Sequence, residues 1–498
     1  MPTMDRRTFL RRSAKVAAGT LAMTAGPFSG LLSRAAMAAP KFAGENGGYG
    51  PLGPVPDLRD GVVRLHLPAG FQYRSFGLRN TPLTEEATIT PGRHDGMAVF
   101  SWKQGKLRLV RNHEQTQPVP VGAFGDTSKA YDAQAPGGTT TLEISPKADE
   151  VKSWVSLNGT TFNCAGGASP WGTWITCEET PNGVDQQRSF LIGPGAPDDL
   201  TYTQKHGYLF EVPVSRGPGE LEVAEPIRMA GRFAHEAAIV DPSTGIVYQT
   251  EDDFAYASGL FRYLPPNNPF KTKRVEDGGR LEILGVIPDG GTDPVTMDLH
   301  TDQVPGTTYR VAWIEIEDPD PAFAPGLSND EAARIVYQEG ESKGAARFSR
   351  LEGIDYHGGK LFFVSTEGGG PFVADPPPNP SAGFGAGYGQ VWMYDLSAET
   401  LTLVFESPGP DVLDFPDNII LSPRRKTVLM CEDSSSGNML RGLTRDGLIF
   451  DFALNAISGG VDEFAGATFS PGGQVLYANA QANGITYAIW GPWNRGLL

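Results

Sequence analysis

Three cysteines in 498 residues are too few for a disulfide framework, whatever the compartment. Basic side chains are scarce too: 41 Lys and Arg stand against 58 Asp and Glu, a formal charge of −17, which argues against nucleic acid as a partner. After residue 38 no amphipathic or apolar run is long enough to cross a bilayer, so no stable membrane insertion is expected of the mature chain. The strand-and-crossover-helix alternation of a parallel sheet is missing as well. What is plentiful is turn chemistry: 62 Gly and 41 Pro accompany 40% hydrophobic residues, a profile of many short strands with packing material to spare. A chain of 53.4 kDa exceeds one hydrophobic core, so it is either several domains or a repetitive architecture that keeps adding small ones.

The first 38 residues read as a targeting segment. Asp5-Arg6-Arg7-Thr8-Phe9-Leu10 leads into a mildly apolar run from Val16 to Ala25 and then to Ala36-Met37-Ala38, a small-residue cleavage site. The order resembles a twin-arginine signal peptide, with the twin-arginine (Tat) translocase as a partner during export and a periplasmic or secreted destination. Its removal takes away six basic residues and Asp5, leaving the mature chain more acidic still.

Internal similarity sets the fold class. Four segments share one layout, an apolar strand, a Pro/Gly turn and a second apolar strand, with an acidic residue 15 positions after the start: Asn163 to Glu178, Glu236 to Glu251, Glu352 to Glu367 and Asp417 to Glu432. Each reads as a β-hairpin. Two looser copies, Asp95 to Glu114 and Gly466 to Gln481, bring the total to six. Six strand-rich repeats predict an all-β, six-bladed β-propeller with a few short helical insertions, occupying residues 39–498 as one domain. Residues 265–349 are expected to insert a lid or rim element containing a helix that begins at a Ser328/Glu331 capping box. Residues 368–390 form a Gly/Pro-rich loop after Glu367.

A hairpin returns its chain to the end where it began, so the marked residues of every copy are expected around one mouth of the central channel. That many carboxylates in one place repel one another unless cations lie between them, which predicts a polynuclear metal site. Oxygen ligands suit Ca²⁺, whereas a cysteine beside them favours a transition metal, iron or zinc. Cys177 and Cys431 stand in the same phase of their repeats, and Cys164 and Cys177 could instead pair with each other, so position alone does not choose.

At these residues the sequence resembles the PhoX family of alkaline phosphatases. The stretches that carry the likeness are HDGMAVF with NHE at Asn112–Glu114, NCAGGASPWGTWITCEE at 163–179, KHGYLFEV at 205–212, RFAHEAAIV at 232–240, TEDD at 250–253, RLEGI at 350–354, FPDNI at 415–419 and the closing FSPGGQVLYANAQ. The resemblance implies an iron–calcium cluster, with Cys177, Glu236 and Glu352 as iron ligands and Glu114, Glu178, Glu251, Asp253 and Glu432 on the calcium side. It also implies that Arg350 grips the phosphate, and that small phosphate esters are the substrates of a monomeric phosphomonoesterase. Family members often read Arg-Pro-Glu-Trp where this chain has Arg350-Leu351-Glu352-Gly353, so the support around Glu352 is expected to differ.

A multinuclear cluster supplies its own nucleophile, so no side-chain nucleophile is required. His235 is expected to be a structural hydrogen-bonding residue rather than an acid, because adjacent strand residues face opposite ways. Trp171 and Trp174 are expected to pack between blades. The competing readings are a calcium-dependent lactonase or phosphotriesterase of propeller type, whose sites use few metals and no thiolate, and a non-catalytic propeller stabilised by calcium.

Overall fold

The computed structural model describes residues 46–117, 122–187, 200–425, 427–435 and 437–498, so the segment 1–38 lies outside the described residues. In chain order, β1 (Leu52–Pro56), β2 (Val63–Pro68) and β3 (Gln72–Phe76) come first. A meander follows of β4 (His94–Ser101), β5 (Leu107–His113), β6 (Gly137–Ile144) and β7 (Val151–Thr160). Next come β8 (Asn163–Ala168), β9 (Thr173–Glu178) and β10 (Leu209–Pro213). The third group is β11 (His235–Val240), β12 (Val247–Glu251), β13 (Leu260–Leu264), β14 (Arg280–Ile287) and β15 (Thr308–Glu315). The short helix α1 (Pro269–Thr272) interrupts that group and α2 (Asn329–Glu341) follows it. Then come β16 (Leu351–His357), β17 (Lys360–Ser365), β18 (Gln390–Asp395) and β19 (Thr400–Glu406). The chain finishes with β20 (Pro416–Leu421), β21 (Val428–Glu432), β22 (Met439–Leu443) and β23 (Ile449–Asn455), then β24 (Phe464–Phe469), β25 (Val475–Ala480) and β26 (Ile485–Trp490).

The architecture is all-β with few helices and propeller-like. All six expected hairpins are present as antiparallel pairs: β4–β5, β8–β9, β11–β12, β16–β17, β20–β21 and β24–β25. Their first strands stand side by side in a closed circle, β4 beside β8, then β11, β16, β20, β24 and β4 again. The sheets number five, because Thr308↔Thr402 to Arg310↔Thr400 joins β15 to β19 and merges two repeats into one sheet of nine strands. The N-terminal strands complete the last two sheets, β2 pairing with β23 and β3 with β26. Tyr49, Phe71, Phe452 and Trp493 pack their rings together at that junction, mostly edge-to-face, in one core shared by early and late strands.

Residues 265–349 do more than cap the rim. They supply β14 and β15, and α2 starts at Ser328, which exchanges hydrogen bonds with Glu331 as a capping box. Val336 and Tyr337 of α2 pack into the same apolar cluster as Ile283 of β14. The loop 368–390 is tied down at its C-terminal end, where Phe384 is buried, its N–H donates to Phe254, and Gly387 and Gly389 donate to Glu367 and Gly368, while residues 370–382 are mostly exposed. No helix among the described residues is long and apolar enough to cross a membrane.

One irregularity recurs in all six first strands. Each carries one extra residue near its start, between His94 and Met97, Asn163 and Gly166, His235 and Ala238, Leu351 and Ile354, Pro416 and Ile419, and Ala465 and Thr468. A β-bulge of this kind re-aims a side chain and tightens the twist. Small residues let neighbouring bulges meet, around a cavity of about 160 Å³ lined by Gly96, Ala165, Ala237, Gly353 and Gly466. At Gly353 an added Cβ would sit 2.6 Å from the Ile419 nitrogen and 2.7 Å from the Asp417 carbonyl oxygen. In this chain Glu352 is therefore braced by the backbone of β20. We predict that Gly353→Ala costs about 1–3 kcal/mol, the usual penalty for overpacking, read as a lowered midpoint of thermal or urea unfolding. An unchanged midpoint would show that β20 yields freely.

Candidate metal centre

The bulges decide which side chains reach the channel mouth. The second residue of the first five first strands is Asp95, Cys164, Glu236, Glu352 and Asp417, each inside the bulge. The residue just after each second strand arrives beside them: Glu114, Glu179, Asp252, Thr366, Asp433 and Gln481. One hydrogen bond, repeated six times, fixes this second set. Each of these residues donates its N–H to the carbonyl of the residue preceding the first strand: Arg93 (3.0 Å), Phe162 (2.9 Å), Ala234 (3.1 Å), Arg350 (2.9 Å), Phe415 (3.0 Å) and Glu463 (3.3 Å). Four of those acceptors, Arg93, Phe162, Arg350 and Phe415, hold φ between +44° and +51°, a left-handed conformation that side-chain-bearing residues seldom adopt.

Three sets of ligand atoms lie within 4.8 Å of one another: Asp95–Glu114–Cys164, Cys164–Glu179–Glu236 and Glu236–Glu352–Asp417. They share Cys164 and Glu236, so they form one continuous cluster. Gln481 Nε2 donates to Asp95 Oδ2 (2.8 Å) and Glu114 Oε2 (2.7 Å), and Asn418 Nδ2 donates to Asp417 Oδ1 (2.6 Å) and Glu236 Oε1 (3.3 Å). Asn112 supports the thiol from behind, donating to the Cys164 and Ala165 carbonyls (2.9 and 2.8 Å) while accepting from Trp174 Nε1 (2.8 Å). Arg350 lies buried over one side, its Nε and Nη2 bonded to both Asp252 oxygens (3.0 and 2.9 Å) and Nη2 also to Glu352 Oε1 (2.7 Å).

Buried together, these acids hold their protons tightly. Burial first, then Glu352, Asp417, Glu179 and Asp95, push the Glu236 carboxyl well above the ordinary carboxylate range. Burial and then Glu114 do the same to Asp95, and burial and then Asp433 raise both Asp417 and Glu463. Arg350 opposes the rise at Glu352 without cancelling it. Asp95 Oδ1 and Glu236 Oε2 are buried with no hydrogen-bond partner. Orphaned carboxylate oxygens beside a thiol fit cations: a hard one for the single oxygen-only set, Glu236–Glu352–Asp417, and softer character in the two sets that Cys164 joins.

Of the residues singled out from sequence, Glu114, Glu236, Glu352 and Arg350 come together here. Cys177 does not. It lies on β9 opposite Leu209, in an apolar cluster with Ile175 and Phe233, and burial alone raises its thiol. The Cys164 thiol instead feels Asp95, Glu236, Glu179 and Glu114 after burial, and all three cysteines are free. Glu178, Glu251 and Glu432 end their strands one position too early and act as latches. Glu178 accepts from Gly207 and Tyr208 (2.8 and 3.2 Å), Glu251 from Gly259 (2.9 Å), and Glu432 from Met439 (3.1 Å) and Arg441. Asp253 caps a turn through the Ala255 and Tyr256 N–H groups (2.9 and 3.1 Å). His235 is neutral and structural: burial drives it down to about 3, and its Nε2 bonds the Gly231 carbonyl (3.0 Å).

The sequence reading passed over Asp95, Glu179 and Glu463 as ligand candidates. Doublets carry the missing signal for the second set: Glu178-Glu179, Glu251-Asp252 and Glu432-Asp433 each pair a latch with a residue facing the other way.

The Glu178 latch gives a pH prediction. His206 sits between Glu178 (Nδ1, 2.6 Å) and Asp132 (Nε2, 3.5 Å). Burial pushes the imidazole down, but the two carboxylates outweigh it and raise it to about 9. A base raised above its unfolded value near 6.5 contributes stability that is full below that value and is lost as pH climbs through 9, on the order of 2–3 kcal/mol. Urea unfolding of the wild type should weaken between pH 7 and 9, and His206→Gln should flatten that slope. Equal slopes would refute the assignment.

Comparison with known proteins places this geometry. The family model described as alkaline phosphatase PhoX matches residues 47–153 and 145–484. Among solved structures, Pseudomonas fluorescens PhoX in complex with vanadate, a transition state analogue, aligns with a TM-score of 0.60 at 17% identity, covering 90% of this chain and 98% of that one. A gluconolactonase, XC5397 from Xanthomonas campestris, aligns at 13% identity over 89% of this chain and 99% of its own, with a TM-score of only 0.37. No curated protein matches the chain. The match over most of the sequence, with the shared fold, shows that the chain belongs to the PhoX alkaline phosphatase family.

Proposed function

We propose that the chain is an exported, metal-dependent phosphomonoesterase that releases phosphate from small esters at the mouth of six blades. One observation carries the metal reading: a thiol, Cys164, stands inside a buried carboxylate cluster in which Asp95 Oδ1 and Glu236 Oε2 have no hydrogen-bond partner. Cys164 with Glu179 and Glu236 is the set that suits iron. Glu236, Glu352 and Asp417, and on the other flank Asp95 and Glu114, suit calcium. Bound there, the metals supply neutralisation of phosphoryl charge and a nucleophile at neutral pH.

The protein's own part is placement. Asn418 and Gln481 orient the carboxylates, and the bulges keep the cluster at the mouth rather than inside the channel. Arg350 is the residue we assign to the phosphoryl group, through the Nη1 end of its guanidinium fork, which lies 3.7 Å from Glu367 Oε1 while Nε and Nη2 hold Asp252 and Glu352. Its hold on Asp252 and Glu352 aligns that fork over the cluster. His235, buried and neutral, takes no part. The reading of the two merged repeats as separate blades rests on the circle of six first strands. Export through the twin-arginine route rests on Arg6-Arg7 and the segment that follows. A lactonase-type site has no use for a thiolate, which is why the phosphatase reading is preferred.

The test is elemental analysis of purified protein with p-nitrophenyl phosphate turnover before and after calcium chelation. Iron and calcium should be found together, and chelation should abolish turnover. Cys164→Ala should lose its iron and at least about tenfold in activity, whereas Cys177→Ala should keep both. Calcium without iron and no phosphate release would sink the proposal, and loss of iron from Cys177→Ala alone would move the thiolate to β9.

A further inference from the structure

Arg93 and Arg350 occupy equivalent places in the fold. Each immediately precedes a first strand, each has a left-handed φ (+44° and +48°), and each accepts at its carbonyl the N–H that closes its hairpin. In the circle of first strands β4 and β16 are three positions apart, so the two guanidinium groups belong to opposite sides of the mouth. Their commitments differ. The Arg350 side chain is 10% exposed and spends its donors on Asp252 and Glu352, with Glu367 at 3.7 Å. The Arg93 side chain is 44% exposed and, among the described residues, bonds through Nη1 alone, to Glu114 Oε2 (2.9 Å) and Gln481 Oε1 (3.1 Å).

One anchored nitrogen fixes the plane of the Arg93 guanidinium and leaves its Nε and Nη2 donors for another acceptor. Those donors stand at the rim of a strongly acidic mouth, with Glu114, Glu463 and Asp95 all acting on the same cation. In such a field an anionic group on an incoming molecule is repelled everywhere except beside a cation. Arg350, buried and held from three sides, is placed for a group deep over the cluster. Arg93 is placed for a group that stays outside.

We infer that Arg93 forms a rim subsite for a second anionic group, so that the favoured substrates are phosphate esters carrying a further phosphate or carboxylate. The inference rests on the phosphatase reading, because the scissile phosphate must lie at the cluster for the second anion to reach Arg93. An exposed guanidinium–anion contact of this kind is worth about fivefold in specificity.

The test compares glucose 6-phosphate with glucose 1,6-bisphosphate on metal-loaded wild type, Arg93→Met and Arg93→Lys. The readout is the ratio of kcat/KM between the two substrates, which is indifferent to any loss they share through Glu114. Wild type should favour the bisphosphate, Arg93→Met should lower the ratio about fivefold through KM, and Arg93→Lys should fall between them. A ratio unchanged in Arg93→Met would overturn the subsite and leave Arg93 as a support for Glu114. If wild type turns over neither substrate, the phosphatase reading has failed by itself. Calorimetric binding of the bisphosphate by wild type and Arg93→Met then decides the subsite: weaker binding by the variant supports it and equal binding ends it.

Discussion

Mutual repulsion among buried carboxylates is the constraint that shapes this molecule. Asp95, Glu114, Glu179, Glu236, Glu352 and Asp417 converge on one channel mouth with a single thiol among them. Left to itself such a group is unfavourable, and the surrounding structure reads as the means of enforcing it. Bulges turn the second residue of each first strand toward its neighbours, strained backbone at Arg93, Phe162, Arg350 and Phe415 closes the hairpins, and Asn418 and Gln481 pin individual oxygens. Residues that a stability argument alone would replace by apolar side chains are held in place by six repeats of the same device.

Much of this was legible from the sequence, and the error in the rest has a definite size. The six hairpins, the helix begun by Ser328, and the convergence of Glu114, Glu236, Glu352 and Arg350 on one place follow from repeats and resemblance. The misplaced residues are mostly out by one. A constant spacing of 15 residues suggested a common phase, yet the paired ends of the hairpins lie 15 apart in Asn163↔Glu178, 16 in His235↔Glu251 and Pro416↔Glu432, and 14 in Leu351↔Ser365. A slip of one residue in a strand exchanges its two faces. That exchange puts Glu178, Glu251 and Glu432 into latch positions and hands the mouth to the residue that follows each of them.

Cys164 and Cys177 show why no composition argument could choose between thiols. Both are buried on the same hairpin, and both sit in a stretch that marks the family. What separates them is the bulge between Asn163 and Gly166, which depends on contact with the next strand and leaves no local signature beyond glycine. Gly353 makes the same point from the other side. The backbone of β20 closes against this small residue, a contact that nothing in the neighbouring sequence announces.

The pairing of β2 with β23 and of β3 with β26 bears on the order of events during synthesis. β1 and β2 can pair as soon as they are made, but β2 also needs β23 and β3 needs β26, so the circle closes only after those late strands have emerged. Contacts of such long sequence separation slow folding, because the entropy of closing the whole loop is spent before the contact is gained. Tyr49, whose hydroxyl bonds the backbone of Trp493 and Leu498, is then a clasp that engages only after those residues are in place. Closure of the ring thereby waits on the strands that are made late.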